Sequence, residues 1–358
     1  MGEQDIGDLE RIRVGIEDWL RRRWPEREGL VVGELRFPEA SGESSVTLIL
    51  DVRDAGGEAE RLVFRMAPPS SQVFEKHDLR MQFEMMRLMA SRGLPAPPLV
   101  GYEPDTSIVG SDFYVMGFCE GRIPPDKPPF HAAGWVKDEA SAEERETMWR
   151  TGLEVLAAIH RIPLDGIDPA IADVGRLPRA RPGEPLVAQE LRTFGSIFKP
   201  ELRRAVDPLV RDAWALLEET APSGGEPALC WGDSRVGNMI FRDGRPVAVL
   251  DWEMANVSDP RTDLAWWIWI DRCNSEGLGL DRLPGLPEPA AAFEAWSRLT
   301  GRDLDGMAWF ELFAVVRYAV ILELKFIAMR EANPDFPPIA NFAVPFIPDL
   351  VEAVRAID

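Results

Sequence analysis

The chain has 358 residues, which is long for one hydrophobic core and favours two lobes or domains. Hydrophobic residues make up 46% of it, enough for a packed interior, which argues against an intrinsically disordered chain. The 60 acidic residues outnumber the 40 basic ones, and the formal charge of −20 argues against nucleic acid as a partner, because a phosphate backbone demands a basic surface.

Cysteine and histidine are scarce, with three of each. The cysteines have no paired spacing, which indicates reduced thiols in a cytoplasmic protein rather than disulfides or a zinc site. Three histidines do not support a Ser-His-Asp or histidine-cluster mechanism. The charged beginning of the chain contains no apolar signal segment, so we expect a cytoplasmic location.

The first 120 residues combine an amphipathic helix with a β-rich region. Leu9, Ile12, Ile16 and Trp19 repeat at helical spacing and predict a helix that ends before Pro25. Short runs rich in β-branched and aromatic residues predict strands, and one helical pattern lies among them. The predicted strands are 30–37, 46–52, 61–66 and 113–119, and the predicted helix is 77–90.

The composition changes after Gly121, where the proline-rich segment IPPDKPPF cannot continue a central strand. Ser141 and Glu144 then form a capping-box pattern at the start of a helix. Further helices are predicted over about 186–219 and across 264–356. The apolar run from Met307 to Met329 contains charged residues, which favours a buried helix over a membrane span.

These patterns predict an α+β protein with three parts. They are an N-terminal helix (1–28), a small β-rich N-lobe (29–120) and a larger helical C-lobe (121–358). We expect no partner among nucleic acids or membranes, and either a monomer or a homodimer.

A polar loop followed by a predicted β-hairpin lies between Leu229 and Ala255, in LCWGDSRVGNMIFRDGRPVAVLDWEMA. The dipeptide Asp243-Gly244 between two apolar runs is a strong signal for a type I′ turn, which needs positive φ at both central residues. A turn centred there places Asn238 opposite Val249.

Asp251 then lies one pair further on the same face as Asn238, at a diagonal separation of roughly 7–8 Å. The amide oxygen and the carboxylate could reach one cation, and such hard ligands suit magnesium carried on nucleotide phosphates. Asp233, on the preceding loop, is not part of this pair of ligands and is left to act as a base. The alternative is that these residues only cap a turn and end a strand.

Six segments of the chain carry a resemblance to a known family. In chain order they are VFRMAPP, HDLRMQFEMMRLM, SDFYVMGFCEG, LEVLAAIHRIP, WGDSRVGN and VLDWEMANVSDPRTDLAW. They resemble motifs of the aminoglycoside phosphotransferase and choline kinase-like family, and most closely its acyl-CoA-dehydrogenase-associated branch. The resemblance extends from about Leu30 to the C-terminus and implies a bilobal protein-kinase-like fold.

The resemblance implies a kinase that transfers the γ-phosphoryl group of ATP or GTP to a small-molecule hydroxyl. Carried over by position, Asp233 would be the catalytic base, and Asn238 and Asp251 would hold the Mg²⁺ that bridges the nucleotide phosphates. Asp263 matches an aspartate that ties down the catalytic loop in the family.

The resemblance also implies a nucleotide site in the first lobe. Arg65 lies where the family has the strand cation that meets the α- and β-phosphates, and Gln82 aligns with its helix carboxylate. We therefore expect the family's ion pair to be replaced by an Arg65–Gln82 hydrogen bond or by another partner nearby. Ser44 and Ser45 belong to the loop that would cover the phosphates through amides and hydroxyls. The hinge whose backbone would read the adenine edge consists of Met116, Gly117 and Phe118.

Two departures from the family pattern keep a second function open. Trp231 replaces the usual loop histidine, whose role would then be taken by packing, and Gln82 replaces a carboxylate. Both are compatible with a nucleotide-binding pseudoenzyme that senses or scaffolds. The absence of an A-P-E motif after Asp251 disfavours a protein kinase.

The acceptor also stays open. The family name and the acidic chain favour an aminoglycoside, whereas the closer resemblance of the first lobe favours a hydroxyacyl thioester.

Overall fold

A computed structural model of the protein describes residues 9–38, 45–57, 59–67, 78–167 and 177–356. The chain divides into two compact units, Met1–Glu120 and Gly121–Asp358. Within the described ranges, no helix is both long and apolar enough to cross a membrane.

The described part of the first unit is an antiparallel sheet of five strands with two helices, and the strand order is β1-β2-β3-β5-β4. In chain order its elements are α1 (Leu9–Arg23), β1 (Val31–Val32), β2 (Val46–Arg53), β3 (Ala59–Met66), α2 (Leu79–Ser91), β4 (Leu99–Glu103) and β5 (Phe113–Gly117).

Helix α1 belongs to the core of this unit. Its apolar stripe, which includes Ile12, Ile16 and Leu20, is fully buried against residues of β2 and β3 such as Leu48 and Phe64. The predicted end of the helix before Pro25 is confirmed, because α1 stops at Arg23. Burial of this stripe fixes the sheet that carries Arg65.

The prediction of a strand over 30–37 is wrong, because the observed strand is shorter. Only Val31–Val32 form β1, and Arg36 makes an isolated bridge to Ile49 of β2. Val32 pairs with Val52, and Arg36 bridges Ile49, so four steps along this segment face three steps along β2. The one extra residue interrupts the ladder.

Strand β4 was not predicted, because the proline-rich segment 95–98 indicated a linker. Gly101 lies in the middle of β4, and a Cβ there would be 2.6 Å from Cζ of Arg23. This glycine gives the strand a weak sequence signal, and a larger residue there would displace the guanidinium end of Arg23. Helix α2 is capped by Asp78, whose carboxylate accepts from the Met81 N–H, and the predicted start at His77 lies outside the described residues.

The second unit is mostly helical, with two short antiparallel strand pairs, β6-β9 and β7-β8. Its elements are α3 (Trp135–Asp138), α4 (Ala142–His160), α5 (Ala188–Ile197), α6 (Pro200–Ala205), α7 (Pro208–Glu219), β6 (Ala228–Cys230), β7 (Met239–Arg242), β8 (Arg245–Val249), β9 (Asn256–Ser258), α8 (Arg261–Cys273), α9 (Pro289–Thr300), α10 (Met307–Ala332) and α11 (Ile347–Arg355).

Two long helices pack on the other elements of this unit. Helix α4 begins with the predicted capping box, which is confirmed: Ser141 Oγ accepts from the Glu144 N–H at 3.2 Å, and Glu144 Oε2 accepts from the Ser141 N–H at 2.7 Å. It packs on β6, β8 and α9. Helix α10 packs on α7, α8 and α11, so the predicted apolar helix is buried inside the unit.

Candidate active site

The hairpin turn has the predicted geometry. Asp243 and Gly244 have φ values of 53° and 71°, as a type I′ turn requires, and Phe241 pairs with Pro246. Asp243 is a non-glycine residue in the left-handed region, a conformation that aspartate tolerates better than most side chains. The turn fixes where the two strands begin.

The register beyond the turn differs from the prediction. Met239, not Asn238, faces Val249, because the pairing shifts by one residue and leaves Val247 bulged. The N–H of Leu250 donates to the Asn238 carbonyl at 2.9 Å. A bulge is not specified by the turn residues, so the expected Asn238–Val249 pairing is wrong by one position.

Asp251 follows β8 and has a left-handed backbone, with φ of 60°. Such a conformation costs about 1–3 kcal/mol and is common at functional sites. The indole N–H of Trp231 donates to the carbonyls of Leu250 and Asp251, at 2.9 and 3.1 Å. The expectation that Trp231 acts by packing alone is therefore wrong, because it supplies a hydrogen-bond donor to this segment.

Asp233 lies at the centre of a set of N–H donors. Its Oδ1 accepts from Trp266 Nε1 at 2.8 Å, and its Oδ2 accepts from Asn238 Nδ2 at 2.7 Å and from Arg235 Nε at 3.1 Å. Asn238 Nδ2 also donates to the Asp233 carbonyl at 3.0 Å. The amide of Asn238 therefore turns its nitrogen towards Asp233 and its Oδ1 away from it.

These contacts keep Asp233 ionised. Burial raises the pKa of Asp233, but the Arg235 charge and the hydrogen bonds from Trp266, Arg235 and Asn238 outweigh burial and hold the pKa below its ordinary 3.8. Arg235 also donates to Asp126 Oδ2 at 2.5 Å, so it bridges two carboxylates. Sequence reasoning missed Trp266, although its position three residues after Asp263 on one helix was an available signal.

Asp263 anchors the backbone on which Asp233 lies, here called the Asp233 loop (residues 231–238). Its Oδ2 accepts from the Trp231 N–H at 2.6 Å and its Oδ1 from the Gly232 N–H at 2.9 Å. The Ser234 hydroxyl donates to the Asp263 carbonyl at 2.7 Å. This structural role is the one that the family resemblance implied for Asp263.

Within the described residues, His160, Cys230 and Asp263 form a buried cluster with ligand atoms within 4.8 Å of one another. His160 Nδ1 accepts from Trp296 Nε1 at 2.9 Å, so the ring proton is on Nε2, which faces Asp263 at 3.1 Å. Both ring nitrogens are engaged, so the cluster supports the Asp233 loop instead of holding a metal.

In the first unit, Arg65 and Ser45 are both buried and in contact. Arg65 Nη2 donates to Ser45 Oγ at 2.9 Å, while the Tyr114 hydroxyl donates to Gln82 Oε1 at 3.4 Å. Arg65 is therefore bonded to a nearby residue other than Gln82, which is the second of the two expected arrangements. Ser44 lies outside the described residues.

The predicted hinge residues Met116, Gly117 and Phe118 lie at the end of β5 and just beyond it. The Gly117 N–H donates to the Pro98 carbonyl at 2.6 Å, and the Phe118 N–H donates to the Arg61 carbonyl at 3.0 Å. Two of the expected backbone donors are therefore occupied inside the first unit. Any contact that Gly117 or Phe118 makes to an adenine edge must use their carbonyl oxygens.

A small cleft with a volume of about 30 Å³ lies beside the Asp233 loop in the second unit. Its residues come from 125–130, α4, the Asp233 loop and α8. They are Pro125, Asp126, Pro129, Phe130, Trp149, Arg235, Val236, Gly237, Trp267, Ile270, Asp271 and Asn274.

The carboxylates that line this cleft are paired, although Asp126 shares Arg235 with Asp233. Asp271 accepts from Arg282 at 2.8 Å and contacts His131 at 2.7 Å. The remaining wall is largely aromatic and aliphatic. A volume of this size admits roughly two water molecules, so the cleft by itself does not define an acceptor site.

A sequence model of the phosphotransferase enzyme family matches residues 40–310, well over half of the chain. The chain belongs to this family. It is also 27% identical over 307 residues to acyl-CoA dehydrogenase family member 11 of Rattus norvegicus, an alignment that covers 82% of this chain and 36% of the rat protein. The chain thus spans about a third of the length of that relative.

Solved structures with the same fold come from several phosphotransferases. A Ralstonia eutropha structure described as an aminoglycoside phosphotransferase has a TM-score of 0.66 at 21% identity. The match covers 96% of this chain and 95% of that chain. Choline kinase LicA of Streptococcus pneumoniae has a TM-score of 0.54 at 13% identity, with coverages of 95% and 99%.

A third structure is a thermostable mutant of aminoglycoside phosphotransferase APH(4)-Ia in a ternary complex with AMP-PNP and hygromycin B. Its TM-score is 0.55 at 16% identity, with coverages of 95% and 98%. These likenesses confirm the expected fold, a protein-kinase-like arrangement with a small β-rich lobe and a larger helical lobe. Family membership places the chain among phosphotransferases.

Proposed function

We propose that the protein transfers the γ-phosphoryl group of ATP, or of GTP, to the hydroxyl group of a small molecule. The observation that carries this proposal is the setting of Asp233: an ionised carboxylate held by three N–H donors on a loop anchored by Asp263. The complex of the related fold with AMP-PNP and hygromycin B supports the same chemistry.

In this proposal Asp233 orients the acceptor hydroxyl. Asp233 Oδ2 already accepts two hydrogen bonds, whereas Oδ1 accepts one and keeps a lone pair for an incoming O–H. The low pKa of Asp233 makes it a weak base in the ground state, so it takes the proton late, when phosphoryl transfer has made the hydroxyl acidic. Phosphoryl transfer asks the protein mainly for such positioning and for charge stabilisation.

Asn238 Oδ1 and the Asp251 carboxylate would hold Mg²⁺, since an amide oxygen and a carboxylate are the hard ligands that this ion takes. When bound, the ion would neutralise phosphate charge. Arg65, with Ser45, is proposed to bind the nucleotide phosphates from the first lobe (29–120), and the C-lobe (121–358) supplies Asp233 and the acceptor site.

The charges around the Asp233 loop do not distinguish the two acceptor classes. Arg282 compensates Asp271, but Asp126 and Asp233 share the single charge of Arg235. The aromatic residues Phe130, Trp149 and Trp267 are almost fully buried and offer an acceptor little surface. The name of the rat relative favours a hydroxyacyl compound, such as a hydroxyacyl thioester, and this is the acceptor class that we propose.

Mass spectrometry of an acceptor panel tests this function. The protein is incubated with Mg-ATP and hydroxyacyl thioesters, hydroxy acids or aminoglycosides, and the acceptors are examined for the gain of one phosphoryl group. Asp233→Asn should lower turnover by roughly a hundred- to ten-thousand-fold and leave nucleotide affinity nearly unchanged.

Asp243→Asn, in the exposed turn of the same hairpin, is the matched control and should retain activity. If no acceptor gains mass although nucleotide binds, the result would instead support the pseudoenzyme that senses nucleotide.

A further inference from the structure

Arg317 is a fully buried arginine that the proposed chemistry does not use. It lies on α10 and is 1% exposed. Its Nη2 donates to the Gly232 carbonyl, and its guanidinium carbon lies 3.8 Å from the centroid of the Trp266 ring. A buried cation over an indole face is a favourable contact, because the ring quadrupole attracts the cation and no water screens it.

Both partners of Arg317 hold Asp233. Gly232 precedes Asp233 in the chain, and Trp266 donates its indole N–H to Asp233 Oδ1. Gly232 has φ of 89°, and a Cβ there would lie 2.2 Å from the Met254 carbonyl, so this backbone has little room to adjust. Arg317 therefore holds the backbone beside Asp233 through Gly232, and it holds Trp266, the hydrogen-bond donor to Asp233.

Glu190, on α5, is the counter-ion of Arg317. Its Oε1 lies 3.6 Å from Arg317 Nη1, and its Oε2 accepts from the Ser258 hydroxyl at 2.5 Å. A buried ion pair is weak evidence for stability, because well-packed apolar residues of similar volume are often at least as stable. Because the pair lies directly behind the Asp233 loop, it can also hold that loop in position.

We propose that Arg317 is a positioning residue for Asp233, acting through Gly232 and Trp266, with Glu190 as the counter-ion that keeps its charge buried. The inference rests on the proposed role of Asp233 as the group that orients the acceptor.

The anionic groups that face Arg317 come from several elements: Glu190 on α5, Asp233 on the loop and Asp263 on α8. Burial lowers the pKa of Arg317, yet an arginine remains protonated across the accessible pH range. Its positive charge therefore persists behind the ionised Asp233.

Indole NMR tests the positioning without any acceptor. In ¹⁵N-tryptophan-labelled protein, the Trp266 indole N–H resonance is identified by its loss in Trp266→Phe, and it should shift in Asp233→Asn. The paired variant Glu190→Gln, Arg317→Met removes both charges and leaves no uncompensated ion. We expect its Trp266 resonance to shift and to exchange faster with water.

Leu322→Ala on α10 is the control for a general loss of packing. Leu322 is buried but lies about 140° around the helix from Arg317, so its truncation should leave the Trp266 resonance in place. If the paired variant does not fold, Arg317→Lys keeps the charge without the planar fork and should shift the same resonance. A native-like Trp266 resonance in a folded variant would overturn the proposal.

Turnover of Mg-ATP, with an acceptor from the panel or with water, gives the second readout. The paired substitution should lower kcat roughly ten- to a hundred-fold and leave the KM for ATP unchanged, since only the base is misplaced. In an Asp233→Asn background the same substitution should have little further effect.

Equal losses in both backgrounds would overturn the positioning role. Native turnover in Asp233→Asn alone would refute the proposed function instead, while the Trp266 resonance would still report on Arg317.

Discussion

The indole N–H of Trp231 donates to the backbone carbonyl of Asp251 at 3.1 Å, which ties the Asp233 loop to the end of the hairpin. Trp231 is fully buried, and its ring lies 5.9 Å from that of Trp252. Because the Asp251 backbone is left-handed, it needs such a contact to hold its side chain in one direction. Trp231 thus connects the proposed base to the proposed metal ligand.

Removing this indole donor should weaken the metal site more than the fold. In Trp231→Phe the carbonyls of Leu250 and Asp251 lose a buried partner, a loss of about 1–3 kcal/mol in the free energy of unfolding. We expect the magnesium-dependent part of ATP stabilisation to fall as well, measured by thermal unfolding with and without Mg²⁺.

The control for this change is Trp252→Phe, whose indole donates to Val249 and not to Asp251. An equal loss of magnesium-dependent stabilisation in both variants would contradict a specific role of Trp231.

The left-handed backbone of Asp251 predicts that glycine at this position would preserve or raise stability but weaken metal binding. Asp251→Gly removes the steric cost of a positive φ, so the free energy of unfolding should stay level or rise by up to about 1 kcal/mol. The same variant should lose magnesium-dependent protection by ATP, because the proposed carboxylate ligand is gone. Retained magnesium dependence would remove Asp251 from the metal site, whatever happens to stability.

Local sequence signals predicted the elements that a few residues determine. The capping box of Ser141, the type I′ turn at Asp243-Gly244 and the buried helix from Met307 all depend on local chemistry, and all are present. The bulge at Val247 and the strand at Leu99–Glu103 were not predicted, because the first depends on the whole ladder and the second on packing around a glycine.

The candidate site was predicted in part for the same reason. Motif spacing identified Asp233 and Asn238, which the structure brings into direct contact. Trp266 and Arg317 follow in later elements and are brought behind the Asp233 loop by tertiary packing. The position of Trp266 three residues after Asp263 on the same helix was a local sign for the tryptophan. An arginine in an apolar helix gives no local sign that it will contact a loop many residues earlier, so Arg317 required the structure.

The contact between Arg65 and Ser45 leads to a prediction for nucleotide binding. Arg65→Ala should weaken ATP binding by roughly ten-fold or more, as expected for the loss of a charged hydrogen bond, and leave adenosine binding almost unchanged. Arg53→Ala is a control on the neighbouring strand, because Arg53 is exposed at the end of β2. Equal losses for ATP and adenosine would mean that Arg65 supports the sheet and not the phosphates.

Glu190 predicts a pH dependence of stability. Burial raises the pKa of Glu190 from 4.5 to about 7, although the Arg317 charge and the Ser258 hydroxyl oppose the rise. A carboxyl with a raised pKa in the folded state contributes stability that is complete below its unfolded pKa and is lost as pH rises through the folded value. The native protein should therefore lose stability between about pH 5 and 8.

Glu190→Gln cannot ionise, so it should not show that loss. At about 1.4 kcal/mol per pKa unit, the gap between variant and native protein should grow by at most roughly 3 kcal/mol over this range, measured by urea unfolding at several pH values. Glu139→Gln is the control of opposite sign, because Arg122 lowers the pKa of Glu139 and its contribution is lost at acidic pH. A gap between Glu190→Gln and the native protein that is constant from about pH 5 to 8 would mean that Glu190 ionises alike in both states, and the raised pKa would be wrong.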